Sequence, residues 1–185
     1  MDLKSLRRAV QAGKRYKYLL FWGHRPRVRG VVDSTCLSNW FPACFEHEGV
    51  HYATAEHYMM AEKARLFGDE DALQRALAAK SPGAAKRVGR EVRNFEEERW
   101  EEARSRIVEE GVYAKFAQNE ALGAFLVGTK ERILVEASPK DRIWGIGMTR
   151  DEEGVNNPLL WNGLNLLGFA LMRARERLSR GNLLG

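Results

Sequence analysis

Cysteine is scarce: Cys36 and Cys44 are the only two in 185 residues. That excludes a disulfide framework, and both are read as reduced thiols. Long apolar runs are missing as well. No stretch approaches the ~20 apolar residues needed to span a membrane, so no membrane partner is expected. The opening segment MDLKSLRRAVQAGKR carries Asp2, Lys4, Arg7 and Arg8, which interrupt any signal-peptide core. A cytoplasmic location is the resulting expectation. There is no internal repeat, no low-complexity tract and no linker-like stretch, and the length suits one compact domain. Neither sign of charge dominates: 30 Lys and Arg against 25 Asp and Glu leave +5. This mild excess favours an anionic partner such as a phosphate, a nucleotide or a nucleic acid, without choosing among them. No basic stripe or known nucleic-acid module is present. The run EEERWEE from Glu96 to Glu102 reads as a solvated helix face.

Hydrophobic residues make up 44% of the chain, enough to bury a real core. The expected architecture is mainly α, a single compact helical domain with a small β element near its N-terminus. Residues 1–15 are read as an N-terminal helical extension and residues 16–180 as the domain. YKYLLFW (Tyr16 to Trp22) and VRGVV (Val28 to Val32) are predicted strands. In ACFEHEGVHYAT, two alternating arms flank Glu48-Gly49, which predicts a hairpin. Thr54 caps a predicted helix that runs to Phe67, Asp69 caps a second, and Ser81-Pro82 opens a third. A long helical segment follows from Phe95 to Gln118, interrupted at Gly111. Then come a short helix from Glu120 to Val127, a strand at Ile133 to Ala137 and a last helix from Asn162 to about Leu178.

His47-Glu48-Gly49-Val50-His51 matches the H-E-x-x-H pattern of zinc proteases, but that motif works only on a helix. The hairpin signal removes it. Cys36, Cys44, His47 and His51 are too loosely spaced for a zinc knuckle, and no metal is expected. The helix beginning at Thr54 is more informative. With Glu56 at zero, Met59, Met60, Leu66 and Phe67 fall at about 300°, 40°, 280° and 20°, and Lys63 at about 340°. Glu56 and Lys63 therefore lie within the apolar stripe, whereas His57, Glu62 and Arg65 lie outside it as solvated residues would. A carboxylate and an ammonium on a core face cost several kcal/mol each unless paired or facing a cavity. Two readings stand: a buried Glu56–Lys63 pair, or a polar pocket.

In KDRIWGIGMTR, Asp141, Trp144, Gly145 and Gly147 read either as a stacking loop or as a plain turn with Trp144 plugging the core. Asn39 in SNWF either caps a turn or binds a polar ligand. Asn165, Gly168, Met172 and Arg173 mark a face approached closely, with helix packing the plainer account.

Taken in order, these segments resemble the NADAR family of YbiA-like N-glycosidases. The resemblance rests on Phe21-Trp22, Ser38-Asn39-Trp40, Glu56-His57-Tyr58 leading to Lys63, Ser81-Pro82 through Gly89-Arg90, and Trp100. It continues through Lys115-Phe116, Gln118, Leu134-Val135-Glu136, Asp141 to Gly147, Trp161, Gly163, Asn165 to Gly168 and Leu171 to Arg173. It spans the chain from about Tyr18 to Leu178. The chain departs from the family at Tyr52, where Trp is common, at Trp40, where Phe is common, and at Met60 and Glu62, where Gln is common. These departures bear on substrate preference.

The resemblance implies a largely α fold and cleavage or recognition of an N-glycosidic bond in a ribosyl phosphate, with no cofactor. Early riboflavin-biosynthesis intermediates, yielding ribose 5-phosphate, are the first expectation. ADP-ribose on a guanine base of nucleic acid is the second, and non-catalytic ADP-ribose or NAD binding the third. Breaking such a bond builds positive charge at the ribose C1 and O4. Glu56 is the expected carboxylate for that charge or for activating water. Lys63 is expected as a Schiff-base nucleophile or as a clamp on a hydroxyl or phosphate. Asp141 is assigned to the ribose hydroxyls or to acid–base help, Trp144 to the base, and Arg90 and Lys115 to phosphate. Phe21, Asn39, Trp40 and Gly145 complete the expected binding set.

Overall fold

Side-chain caps start the helices in the middle of the chain. In the computed structural model, which describes residues 1–181, Thr54, Asp69 and Ser81 accept the N–H groups of His57, Ala72 and Ala84. Each cap satisfies a donor that the first helical turn leaves free. The helices they open are α2 (Ala55–Leu66), α3 (Glu70–Leu77) and α4 (Pro82–Arg90). Before them lie α1 (Leu3–Gln11), β1 (Tyr18–Phe21), and the hairpin of β2 (Phe45–His47) and β3 (Val50–Tyr52). After them come α5 (Glu97–Ala117), α6 (Glu120–Gly128), β4 (Ile133–Glu136) and α7 (Leu166–Gly181). The mainly helical architecture is as expected.

The hairpin closes through Glu48 and Gly49, both at positive φ (50° and 76°), as a two-residue type I′ turn requires. His47 pairs with Val50 and His51 with Glu46, so the two histidines lie on opposite faces. β1 does not pair with its neighbours in sequence. It runs parallel to β4, with Tyr18 opposite Ile133 and Phe21 opposite Glu136. The chain between them supplies the crossover that parallel strands need.

Helix α2 packs against α3, α4 and α5 and is buried nearly all round over its first two turns. His57 is therefore not solvated. Its Nδ1 meets Thr54 Oγ1 at 2.7 Å and its Nε2 meets the Ala79 carbonyl at 3.0 Å. The strand expected at Val28 to Val32 does not form; Gly30 has φ of 82° and Val28 and Val31 are exposed. α5 runs unbroken through Gly111, because that glycine admits the Tyr58 ring: a Cβ there would lie 2.3 Å from Tyr58 Cδ1. α7 starts later than expected, at Leu166. Asn165 (φ 55°) turns inward and ties its amide to β4, accepting from Glu136 N and donating to the Leu134 carbonyl. Close packing on β4 is thus what Gly168 permits, since a Cβ there would meet Leu134 O at 2.1 Å.

Candidate active site

Glu56 occupies the first turn of α2, where the positive end of the helix dipole favours a carboxylate. Its N–H donates to the Asn39 carbonyl at 3.0 Å, which draws the Ser38–Trp40 segment against the start of α2. The Glu56 residue is only 3% exposed, and its Oε1 is buried with no hydrogen-bond partner. Burial pushes its carboxyl up to about 7, while Lys86, the Trp40 side chain and Arg90 act downward and Asp141 acts upward. Asp141 is fixed by two backbone donors: Oδ1 accepts from Ile143 N at 3.0 Å and Trp144 N at 2.8 Å. Its Oδ2 stands 4.0 Å from Lys86 Nζ.

A further carboxylate, Glu136 at the end of β4, joins this group. Burial pushes it up to about 8, with Asp141 and Glu56 adding in the same direction and Lys86 opposing. Among the described residues, three buried side-chain oxygens lack any partner: Asn39 Oδ1, Glu56 Oε1 and Glu136 Oε2. All belong to this one neighbourhood. Leaving such atoms unpaired costs about 1–3 kcal/mol each or more, and three of them in neighbouring segments mark a candidate site for a polar ligand.

Lys63 does not join Glu56. Its Nζ donates to the Gly89 carbonyl at 2.8 Å and lies over the Phe95 ring at 4.0 Å and the Trp100 ring at 5.5 Å. The charges acting on Glu56 come from α4 and the Asp141 loop instead. Lys63 is half-buried, and its long stem carries the ammonium to the end of α4.

Lys115 is also corrected as a phosphate ligand. It is 1% exposed, and its Nζ donates to the Cys36 and Ser38 carbonyls at 2.7 and 2.8 Å. Burial drives its ammonium down to about 7. It holds the loop that carries Asn39 and Trp40 and cannot reach a ligand in solvent.

Phe21 is fully buried in the core beneath the site. Gly145 serves packing: a Cβ there would meet Glu136 O at 2.8 Å and Asp141 O at 3.0 Å. Trp40 and Trp144 are half-buried, and Arg90 is exposed with its charge still felt by Glu56. No three His, Cys, Asp or Glu side chains among the described residues stand close enough to hold a metal ion. Cys36 is buried, Cys44 is exposed, and both are free thiols.

The NADAR domain matches residues 20–179. The chain belongs to the NADAR domain family. An N-glycosidase of Acanthamoeba polyphaga mimivirus is 42% identical over 166 residues, covering 86% of this chain and 95% of the relative. The N-glycosidase YbiA of Escherichia coli is 33% identical over 143 residues, covering 77% of this chain and 81% of the relative. The NMR structure of the E. coli protein YbiA superposes with a TM-score of 0.69 at 27% identity, covering 92% of this chain and 89% of that one.

Two members of the site in this NADAR domain had no role assigned from sequence. Lys86 lies four residues before Arg90, on the same face of α4, a spacing that marks it beside the cation that was picked. Glu136 closes the apolar run ILV on β4. The available signal was a charge closing an apolar strand; that the strand is parallel, a recurrent place for ligand chemistry, emerges only in the fold.

Proposed function

We propose that this chain is an N-glycosidase that hydrolyses the bond between ribose C1 and a nitrogen leaving group in a phosphate-bearing metabolite. The substrates proposed are early riboflavin-biosynthesis intermediates, with ribose 5-phosphate as a product. The observation that carries this reading is the buried, partnerless Oε1 of Glu56 among Lys86, Arg90 and Asp141. A carboxyl poised near neutral pH matches the requirement of a general base. As the C1–N bond breaks, positive charge grows on C1 and O4, and the Glu56 carboxylate stabilises it and takes a proton from the attacking water. Asp141 is held rigidly by the Ile143 and Trp144 amides, which suits Oδ2 to ribose hydroxyls. Trp144 and Trp40 are proposed to flank the leaving base and Arg90 to meet the phosphate.

Lys63 serves in this geometry as a clamp on Gly89. A sugar adduct trapped by borohydride in the wild type and absent from Lys63→Met would reassign it as a nucleophile. The decisive experiment incubates the protein with ribosylaminopyrimidine phosphates, ADP-ribosylated guanine and NAD. Turnover of the first class is expected, and Glu56→Gln should lower it by about 10²-fold or more while ligand binding and folding persist. Normal turnover by Glu56→Gln refutes the mechanism.

One observation favours the second reading, hydrolysis of ADP-ribose on nucleic acid. A cleft of about 710 Å³ is lined by Lys14, Arg15, Lys17 and Arg132 with no Asp or Glu. It lies at the opening ends of β1 and β4, however, and Glu136 stands at the far end of β4, about 10 Å along the strand. A strand held there has to wrap the molecule to present its base. Steep salt dependence of binding separates this reading from the first.

A further inference from the structure

We infer that Glu136 is the proton donor of this site, delivering a proton to the nitrogen that leaves ribose C1. The inference rests on the hydrolase reading above and adds the acid that complements Glu56. The Glu136 backbone is fixed on several sides. Its N–H donates to Asn165 Oδ1 at 3.0 Å, and its carbonyl accepts from Ile146 N and Ser138 N, each at 2.9 Å. Gly145 allows the 137–147 loop to close against that carbonyl, and Gly168 allows α7 to seat Asn165 on β4. The backbone at 136 is thus gripped from three directions, while the side chain carries a buried Oε2 with no partner.

The charges facing it decide which carboxyl keeps a proton. Glu56 and Asp141 bring negative charge and Lys86 the opposing positive charge. Neighbouring carboxylates raise one another's proton affinity, most of all where burial withdraws them from water. Asp141 already has two N–H donors and a nearby ammonium on its carboxyl. Glu56 has the helix N-terminus, Lys86 and Arg90. Among the described residues no donor meets Glu136 Oε2, and two carboxylates neighbour it, so the proton resides there. Pairs of carboxyls whose surroundings separate them in this way divide into acid and base.

The step balances. The C1–N bond breaks with its electron pair going to nitrogen, and the Glu136 proton moves to that nitrogen. Water oxygen bonds to C1 and its proton goes to Glu56. After the products leave, the proton on Glu56 returns to Glu136, so the net change is addition of one water across the C1–N bond.

The test compares wild type with Glu136→Gln, which keeps volume and hydrogen-bonding capacity, on two substrates. One is a ribosylaminopyrimidine phosphate, whose leaving nitrogen needs a proton. The other is 4-nitrophenyl ribofuranoside 5-phosphate, whose leaving group does not. The expected result is a loss of about 10²-fold in kcat/KM on the first, little change on the second, and disappearance of the alkaline limb of the pH–rate profile. Infrared spectra of the free protein near neutral pH should show a protonated-carboxyl band that Glu136→Gln diminishes more than Glu56→Gln does. Equal losses on both substrates, or a band that Glu136→Gln diminishes no more than Glu56→Gln does, overturn the assignment. Should the variant fail to fold, wild-type kcat/KM across leaving groups of graded basicity carries the test: a shallow dependence supports the donor, a steep one overturns it. A wild type inactive on every N-ribosyl phosphate refutes the hydrolase reading, and the donor role with it. An active wild type with an unaltered variant refutes the donor role alone.

Discussion

Replacing Glu56 with Gln should make the protein more stable at alkaline pH and leave it nearly unchanged in mild acid. The carboxyl is raised from the usual 4.5 to about 7, chiefly by burial. Between those two values the folded chain binds more protons than the unfolded one, so stability falls as pH rises through that window. Above it the group is ionised in both states, and the folded state carries the whole cost of the buried charge. That cost is about 3 kcal/mol, from about 1.4 kcal/mol per pH unit of displacement. Glutamine keeps the shape and never ionises, so it removes the cost. In a domain of this size such a gain corresponds to roughly 6–12 °C in Tm. Urea unfolding of both proteins at about pH 5 and about pH 8.5 measures the difference directly. The buried Lys115 changes stability with pH in the opposite sense, but it is common to both proteins and cancels. An advantage of Glu56→Gln that is the same at both pH values, or a loss at the higher one, refutes the argument that Glu56 is a strained, desolvated acid.

Lys115 is lowered from 10.5 to about 7 by burial, so between those values the unfolded chain binds more protons and stability rises with pH. Lys115→Met should abolish that rise and speed amide exchange across Ser38–Trp40; unchanged exchange there argues against its holding the loop. Lys86→Met removes the cation that lowers both Glu56 and Glu136, and should move both limbs of the pH–rate profile upward by about one pH unit. A profile that does not move refutes the charge arrangement. Gly111→Ala places a methyl 2.3 Å from Tyr58 Cδ1 and should cost about 1–3 kcal/mol in thermal or urea unfolding. A cost near zero means that the α2–α5 contact yields more easily than described.

Local signals carried much of the fold. Thr54, Asp69 and Ser81 cap helices through bonds that span three residues, and Glu48-Gly49 sets a turn from its own two φ angles. Such features depend only on neighbours in the chain, so a single sequence suffices to read them. The burial of Glu56 is expected from helix spacing, but α2 keeps no solvent-facing side over its first two turns, and His57 is as buried as Glu56. What was not legible depended on partners far along the chain. β1 runs parallel to β4 across more than a hundred intervening residues, and no local pattern names that partner. His57 reads as solvated on one helix considered alone, but α3, α4 and α5 surround α2 and leave its first turns no solvent side. Lys115 reads as a phosphate contact and Lys63 as a partner of Glu56 or of the substrate, yet each ends on carbonyls supplied by other segments. Glu136 becomes chemically distinctive only when packing withdraws it from water and sets Glu56 and Asp141 beside it. Amino-acid type decides which groups can ionise; desolvation and the neighbouring charges, which only the tertiary fold assembles, decide which of them keeps its proton.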